Sequence, residues 1–527
     1  MTQHQVLING QWRDSLGDKT FHAVNPATRE TLDDGYPVSP WPEVAEVLEA
    51  AHAASVAMRG WSGERFARFL DAYADGIEAR ADEIVEMANL ETAYPVEPRL
   101  KNAELPRTVN QLRQAAAAAR DGAWAMATID TQTNIRSILG PIGPVAVFGP
   151  NNFPLAFNSI AGGDFAAAVA AGNPVIAKGH SSHPGTTRLF GLAAHEAAQA
   201  TDMPPGFVQL IYRTSHEDGA RLVSHRYIGA TGYTGSRHAG LVIKEAADRA
   251  GKPIYLELSS INPVCILPGA LQERAEAIAD EFAGSCLMGA GQFCTNPGIV
   301  VLVDNDASRA LLKSVAEKFD AAPVGTLLSE GVEQHFRAGI VHLQRAGARI
   351  VTGNQPVDSS RYCYANTLLE VSGDEFVENA LPLQDEAFGN ASLFVFAKDE
   401  DQLVQIVESF EGNLTGCIYS DTAGSDDSLY DRVAPVLRER VGRLLNDKMP
   451  TGVAVSPAMN HGGPFPSTGH PGFTAVGIPA SVRRFGMLQC YDNVRPHRLP
   501  PALQDANPTG EMWRYIDGAW TQANVEG

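Results

Sequence analysis

Between Ser137 and about Cys265, short apolar runs alternate with helical stretches, and that alternation leaves the chain few folds to choose from. PVAVFG is closed by PNN. NPVIAKG is followed by SSHPGTT and the helical RLFGLAAHEAAQA. FVQLIY precedes a helix around DGARLVSH, YIGATGYTGS leads into HAGLVIKEAADRA, and PIYLELSS closes the series. The repeat is about 25 residues, a strand plus a crossover helix, which predicts a parallel sheet. Such sheets bind ligands in the crevice at the carboxyl ends of their strands. Candidate site residues should therefore stand just after the apolar runs.

The flanks read differently. Up to about Ala125, TFHAVNPATRETL predicts a short strand and turn. PEVAEVLEAAHAASVAMRGW and ERFARFLDAYADGIEARADEIVEMANLET have apolar residues at helical spacing. A further helix is expected over about Ala103–Arg120. From Asn262 to Phe396 the alternation resumes, with the helix ERAEAIADEFAGSCLM, the strand IVVLVD and the helix ASRALLKSVAEKFDAA, so a second α/β domain is expected. A Gly-, Pro- and Ser-rich stretch, LNDKMPTGVAVSPAMNHGGPFPSTGH, is too long for a plain connection and reads as a loop packed over a site. The tail DANPTGEMWRYIDGAWTQANVEG is either an interface arm or a loose end. A length of 527 residues fits two or three domains.

Composition excludes several classes. The net charge is −20 and no large Lys/Arg cluster appears, so a nucleic-acid surface is not expected. No uninterrupted apolar run reaches about 18 residues, which excludes a membrane-spanning helix. The start MTQHQVLINGQWRDS lacks the basic and apolar regions of a signal peptide, so a cytoplasmic location is expected. The cysteines Cys265, Cys286, Cys294, Cys363, Cys417 and Cys490 form no CxxC and no regular spacing. Disulfides and a metal site are not expected; reduced thiols are.

Five strand-end positions carry chemistry. Asn152, in PNNFP, either caps a helix or donates to an anionic oxygen. Lys178, in VIAKGHSS, is either solvated or holds an anion. Gly235-Ser236, in YTGSRHAG, is a tight turn or a phosphate-facing helix start. Glu257, in ELSSINP, is a salt-bridged strand residue or a general base. Cys294, in GAGQFCTNPG, is an inert buried thiol or a nucleophile, and its glycine-rich loop exposes backbone N–H groups that would steady a thiolate and a developing oxyanion.

With PNNFP, YTGS, ELSSINP, GQFCTNPG and DEAFGN in this order and spacing, the chain resembles the NAD(P)-dependent aldehyde dehydrogenases from INGQW to YDNV near Asp492. ELSSINP with MNHGGPFPST and CYDN resembles the branch holding NADP-preferring and α-ketoglutaric semialdehyde (2,5-dioxopentanoate) dehydrogenases. The resemblance implies an α/β fold: a Rossmann-type cofactor domain over 1–125 and 140–261, an α/β catalytic domain over 262–460, and a small β oligomerisation arm over 126–139 and 480–500, with a tail over 501–527. A homodimer or homotetramer is implied. Cys294 would attack the aldehyde carbon, the Asn152 side chain and the Cys294 N–H would hold the oxyanion, and Glu257 would activate water to hydrolyse the thioester. Lys178 would bind the adenosine ribose, Gly235 and Ser236 the pyrophosphate, and Glu386 the nicotinamide ribose, with Phe388 beside it.

Three departures matter. Many NAD-preferring members carry a glutamate where Ser181 stands; its absence removes repulsion against a 2′-phosphate, and Arg213 adds positive charge. NADP is therefore the expected cofactor, with NAD as the alternative. Asn390 replaces the usual proline of FGP, and ELSS replaces ELGG. By position in the resembled fold, Arg107 faces the aldehyde tunnel, where it would fork onto a substrate carboxylate or else sit in a surface ion pair. Phe153, Phe157 and Phe465 would supply apolar walls, which suit a medium- or long-chain aliphatic aldehyde equally well. Two readings of other classes stand beside these: a non-catalytic binding protein on the same fold, and a cofactor-free thiol esterase.

Overall fold

The computed structural model describes residues 3–353 and 357–525. The predicted alternation forms a seven-stranded sheet whose order is Ile254–Glu257, Ala230–Thr234, Val145–Phe148, Val175–Lys178, Val208–Ile211, Val6–Ile8, Gln11–Arg13. The first five strands are parallel. Val145–Phe148 is buried throughout, as a strand covered by helices on both faces must be. The chain winds outward from Val145–Phe148 in one direction, then returns to its other side at Ala230–Thr234. That reversal makes a crevice beyond Phe148 and Thr234.

The predicted helices cover this sheet. Gly63–Ala79 turns Phe66, Phe69, Leu70, Tyr73 and Ile77 inward, and Phe69 meets Phe207 edge-on at 4.9 Å. Burial of each such side chain contributes about 1.5–3 kcal/mol. The long apolar stretch after Glu64 is two helices, Gly63–Ala79 and Ala81–Thr92, broken at Arg80. The helix expected from Ala103 is Leu105–Asp121.

A second seven-stranded sheet runs Arg349–Thr352, Thr367–Ser372, Ala391–Ala397, Ile299–Val303, Val264–Ile266, Asn413–Tyr419, Val441–Asn446. Only the first is antiparallel to its neighbour. The Gly/Pro-rich stretch after Asn446 returns to the first sheet. Leu258 N donates to Ser467 O at 2.8 Å, and Gly469 N donates to Leu256 O at 3.1 Å. These bonds cover the open edge of Ile254–Glu257, as an edge strand requires.

A third sheet has five strands: Gly486–Asp492, Ile135–Pro141, Thr128–Asp130, Arg514–Ile516, Ala519–Thr521. The residues 501–527, expected as a separate tail, supply two of them, so the tail is neither loose nor distinct from the arm. Arg514 is fully buried. Its guanidinium donates to the carbonyls of Gln504, Asp505 and Ala523 at 2.6, 3.2 and 2.7 Å. Arg514→Ala strands those three carbonyls, each at a cost of about 1–3 kcal/mol. Limited proteolysis should then cut within 504–525 much faster than in the wild type, with cofactor affinity unchanged; equal cutting rates would contradict this role.

Candidate active site

The crevice at the strand reversal opens into a cleft of about 1270 Å³. Asn152, Lys178, Ser181, Arg213, Gly235, Ser236, Glu257, Cys294, Glu386 and Phe388 all line it. The structure thus brings together every cofactor and catalytic candidate read from the sequence. The substrate candidates divide: Arg107, Phe153 and Phe157 share one buried cluster, and Phe465 lies elsewhere.

Cys294 is delivered by a contorted loop. The helix Pro268–Leu287 ends, and Gly289, Ala290 and Gly291 take φ of 56°, 56° and 69°. A side chain at Gly291 would place its Cβ 2.0 Å from Gly389 O. Asn262 clamps the turn at the cysteine itself, donating from Nδ2 to Cys294 O and Asn296 O, both at 2.9 Å. Gln292, fully buried, fixes the other side by accepting from Leu328 N at 2.9 Å.

Asn152 caps no helix: the next helix begins only at Gly163. Its Nδ2 donates to Gln292 O at 3.0 Å, which places the amide beside the cysteine loop. Around it, Arg99 donates to Asn152 O at 3.0 Å and pairs with Glu104 at 3.2 Å, while Glu104 accepts from Leu155 N and Ala156 N. Glu257 pairs with no lysine or arginine among the described residues. Its Oε1 stands 2.9 Å from Nε2 of His461, and the same Nε2 is 3.3 Å from Cys294 Sγ. His461 is almost fully buried and comes from the Gly/Pro-rich return loop.

The electrostatics correct one expectation. The glycine-rich loop does not leave the thiol readily ionised. Burial, and then the Glu257 carboxylate, push the Cys294 thiol well above its ordinary range. A thiolate here needs an adjacent proton acceptor.

The far end of the cleft fits an anionic dinucleotide. Lys178 is lowered to about 8 by burial and by Arg213. Neither its Nζ nor the Arg213 guanidinium has a hydrogen-bond or ion-pair partner among the described residues. Ser236 caps Arg237–Arg249 by accepting from Ala239 N, so that helix turns its N-terminus to the cleft beside Gly235. Glu386 is raised to about 7 by burial, opposed by hydrogen bonds from Ser259 and from Ser260 N. The serines that replace ELGG thus hold this carboxyl. Asn390, in place of proline, is fully buried and donates to Tyr364 O at 2.9 Å and Asn366 Oδ1 at 2.7 Å, which ties the Glu386 loop to the second sheet.

Phe153 and Phe157 are buried and pack edge-on at 5.4 Å, and Phe293 and Phe473 join the same cluster. Arg107 lies over the rings of Phe153 and Phe157. Its Nε and Nη2 are out of solvent and have no hydrogen-bond partner among the described residues, and it makes no surface ion pair with any of them. Phe465 does not belong here. It is 58% exposed and lies beside Arg237, because its carbonyl is held by Gly412 N and its side chain projects outward. Phe473, not Phe465, packs in the cluster with Phe153 and Phe157.

Sequence reasoning missed His461, Asn262, Arg99 and Glu104. The first two lie inside the motifs MNHGGPFPST and ELSSINP, but nothing local marked their partners.

Fold and cleft define a two-lobed α/β protein of the kind that binds a ligand at a strand reversal, with a cysteine where the lobes meet. The aldehyde dehydrogenase family profile matches residues 12–460. Alpha-ketoglutaric semialdehyde dehydrogenase 2 of Azospirillum brasilense is 39% identical over 93% of this chain and 94% of its own. The alpha-ketoglutaric semialdehyde dehydrogenase of Acinetobacter baylyi is 33% identical over 98% of both. A crystal structure of a mutant aldehyde dehydrogenase C from Pseudomonas syringae, with NAD+ and octanal, superposes with a TM-score of 0.80 at 21% identity, covering 94% of this chain and 98% of that one. The chain belongs to the aldehyde dehydrogenase family, and it is an NAD(P)-dependent enzyme that oxidises aldehydes. Among the described residues no helix is long and apolar enough to cross a membrane.

Gly291→Ala should leave the protein folded but displace the cysteine loop. A shift of about 1 Å costs about a hundredfold in rate, so kcat should fall by about that factor. Unchanged turnover would show that the contact with Gly389 does not set the loop.

Proposed function

We propose that this enzyme oxidises an acidic semialdehyde, such as 2,5-dioxopentanoate, to the dicarboxylate with NADP. The observation that carries the substrate class is Arg107: a guanidinium with two nitrogens shielded from solvent and without a hydrogen-bond partner among the described residues, set against two phenylalanine rings. Burying an unpaired charge is costly, and a substrate carboxylate removes that cost. The names of the two sequence relatives support the same class.

In this reading Cys294 Sγ attacks the aldehyde carbon. The oxyanion is held by the second N–H of the Asn152 amide, left over from its bond to Gln292, and by the Cys294 backbone N–H. One such donor contributes about 3 kcal/mol. The nicotinamide, when bound, supplies the hydride acceptor. Lys178, Ser181 and Arg213 hold the adenosine end, Gly235 and Ser236 the pyrophosphate, and Glu386 and Phe388 the nicotinamide ribose. Glu257 takes a proton from the water that releases the acid. Residues 1–125 and 140–261 serve as the cofactor domain and 262–460 as the catalytic domain. The third sheet joins copies of the chain into a dimer or tetramer, an assignment supported by Met487 and Leu488, 48% and 69% exposed on its edge strand.

A medium- or long-chain aliphatic aldehyde is the second reading, favoured by the phenylalanine cluster. Steady-state kinetics separate the two. Arg107→Leu should lower kcat/KM for 2,5-dioxopentanoate by about tenfold to a hundredfold, the worth of a charge-assisted contact, and leave hexanal unchanged. Equal losses on both would remove Arg107 as the carboxylate reader. Ser181→Glu should move cofactor preference from NADP toward NAD by returning a carboxylate to the ribose; an unaltered preference would remove Ser181 from the 2′-phosphate site.

A further inference from the structure

The Cys294 thiol poses a problem that the proposed mechanism leaves open. Its surroundings disfavour the thiolate, because it is buried and faces a carboxylate. Attack on a carbonyl nevertheless requires the thiolate. One base cannot hold the thiol proton and stand ready for the water proton at the same time. The structure contains a second base in the right place. His461 Nε2 lies 3.3 Å from Cys294 Sγ and 2.9 Å from Glu257 Oε1. The three side-chain ends lie within 4.8 Å of one another. The residue is held through its backbone and its ring. His461 N donates to Thr474 Oγ1 at 2.9 Å, His461 O accepts from Ala475 N at 2.9 Å, and the Phe157 ring packs 5.8 Å away.

We infer that His461 is a catalytic residue: its Nε2 takes the Cys294 proton before attack, and Glu257 stabilises the resulting imidazolium. This rests on the reading of Cys294 as nucleophile. The S–H bond breaks, an N–H bond forms, and the sulfur keeps the electron pair with which it attacks the aldehyde carbon. A single Nε2–H then faces two anions, the thiolate and the carboxylate, which is the state a nitrogen placed between them favours. The oxidant is the nicotinamide of the established activity. Once the aldehyde hydrogen has left as hydride, the acyl group is on sulfur and the imidazolium is no longer paired with a thiolate. It passes its proton to solvent water in the cleft, the one proton released per hydride transferred, and Glu257 is free to receive the next from the hydrolytic water. Nucleophile activation and hydrolysis thus have separate acceptors. Other charges face the pair: Arg107 from the helix Leu105–Asp121, Arg443 from the strand Val441–Asn446, and Glu386. The two arginines favour the thiolate and Glu386 opposes it.

The test is the pH dependence of Cys294 alkylation by iodoacetamide, read by peptide mass spectrometry with the exposed Cys490 as internal reference. In the wild type, Cys294 should react faster than Cys490 at neutral pH. His461→Gln keeps the size but cannot accept a proton, so its profile should move up by one pH unit or more, about tenfold in rate at neutral pH. It should lose the hydride burst in parallel. NADP affinity should be unchanged, and added imidazole should partly restore the burst in His461→Ala. Glu257→Gln should slow the burst, because the imidazolium loses its carboxylate, yet keep its amplitude and stall afterwards. Should His461→Gln misfold, the thiolate ultraviolet band of the wild type decides: it should be present at neutral pH and vanish on acidification. Fast alkylation in the wild type that His461→Gln leaves untouched, or a thiolate band absent at neutral pH, overturns the role of His461. Slow Cys294 alkylation together with full turnover in Cys294→Ala would instead overturn the nucleophile reading beneath it.

Discussion

Two buried asparagines determine where the lobes meet. Asn262 Nδ2 holds the carbonyls of Cys294 and Asn296, and its Oδ1 accepts from Thr415. Asn413 Oδ1 accepts from Ile261 N at 2.9 Å and Asn262 N at 3.2 Å. These bonds tie together the stretch after the edge strand of the first sheet, the cysteine loop, and the strand Asn413–Tyr419 of the second. Each donor or acceptor left unpaired there would cost about 1–3 kcal/mol. The satisfied network therefore fixes one arrangement. Glu257, just upstream of Asn262 in ELSSINP, inherits its position from the same knot.

Around that junction, burial shifts three ionisable groups toward their neutral forms. The Cys294 thiol is pushed up, Glu386 is raised to about 7, and Lys178 is lowered to about 8. The common cause is desolvation in a deep cleft. The partners that would restore charge differ along its length. Beside Lys178 and Arg213 they are missing among the described residues, which leaves two cations without a carboxylate at one end of the cleft. Beside Phe153 and Phe157, the Arg107 guanidinium has aromatic faces but, among the described residues, no carboxylate partner. At the sulfur, His461 and Glu257 form an internal pair. Three cations thus lack a carboxylate partner among the described residues, while the sulfur has a histidine and a carboxylate beside it.

The sequence made most of this legible, because strand–helix alternation is a local code. Apolar runs such as VAVF and VIAK name their strands, and the topological rule then places Asn152, Lys178, Gly235 and Glu257 at one crevice. Loop composition left Cys294 open between an inert thiol and a nucleophile, and only the family resemblance chose the second. What stayed hidden depends on contacts between distant segments. His461 reaches Cys294 across 167 positions through a loop without regular structure. The tail enters the third sheet by pairing Arg514–Ile516 parallel to Thr128–Asp130, which no local pattern announces. Phe465 looked like a tunnel wall beside prolines, yet its backbone bond to Gly412 turns the ring outward and leaves the wall to Phe473. Asn152 matched a helix cap in composition, but a run of turns separates it from the helix start at Gly163 that capping would need.

In the proposed chemistry the acyl group passes through the sulfur at position 294, and every other assigned role depends on that step. Intact-protein and peptide mass spectrometry on Glu257→Gln, quenched after mixing with NADP and 2,5-dioxopentanoate, tests it most directly. One acyl adduct per chain should accumulate on the Cys294 peptide, together with one equivalent of NADPH. Reduced cofactor formed with no adduct, or an adduct on another residue, would contradict it.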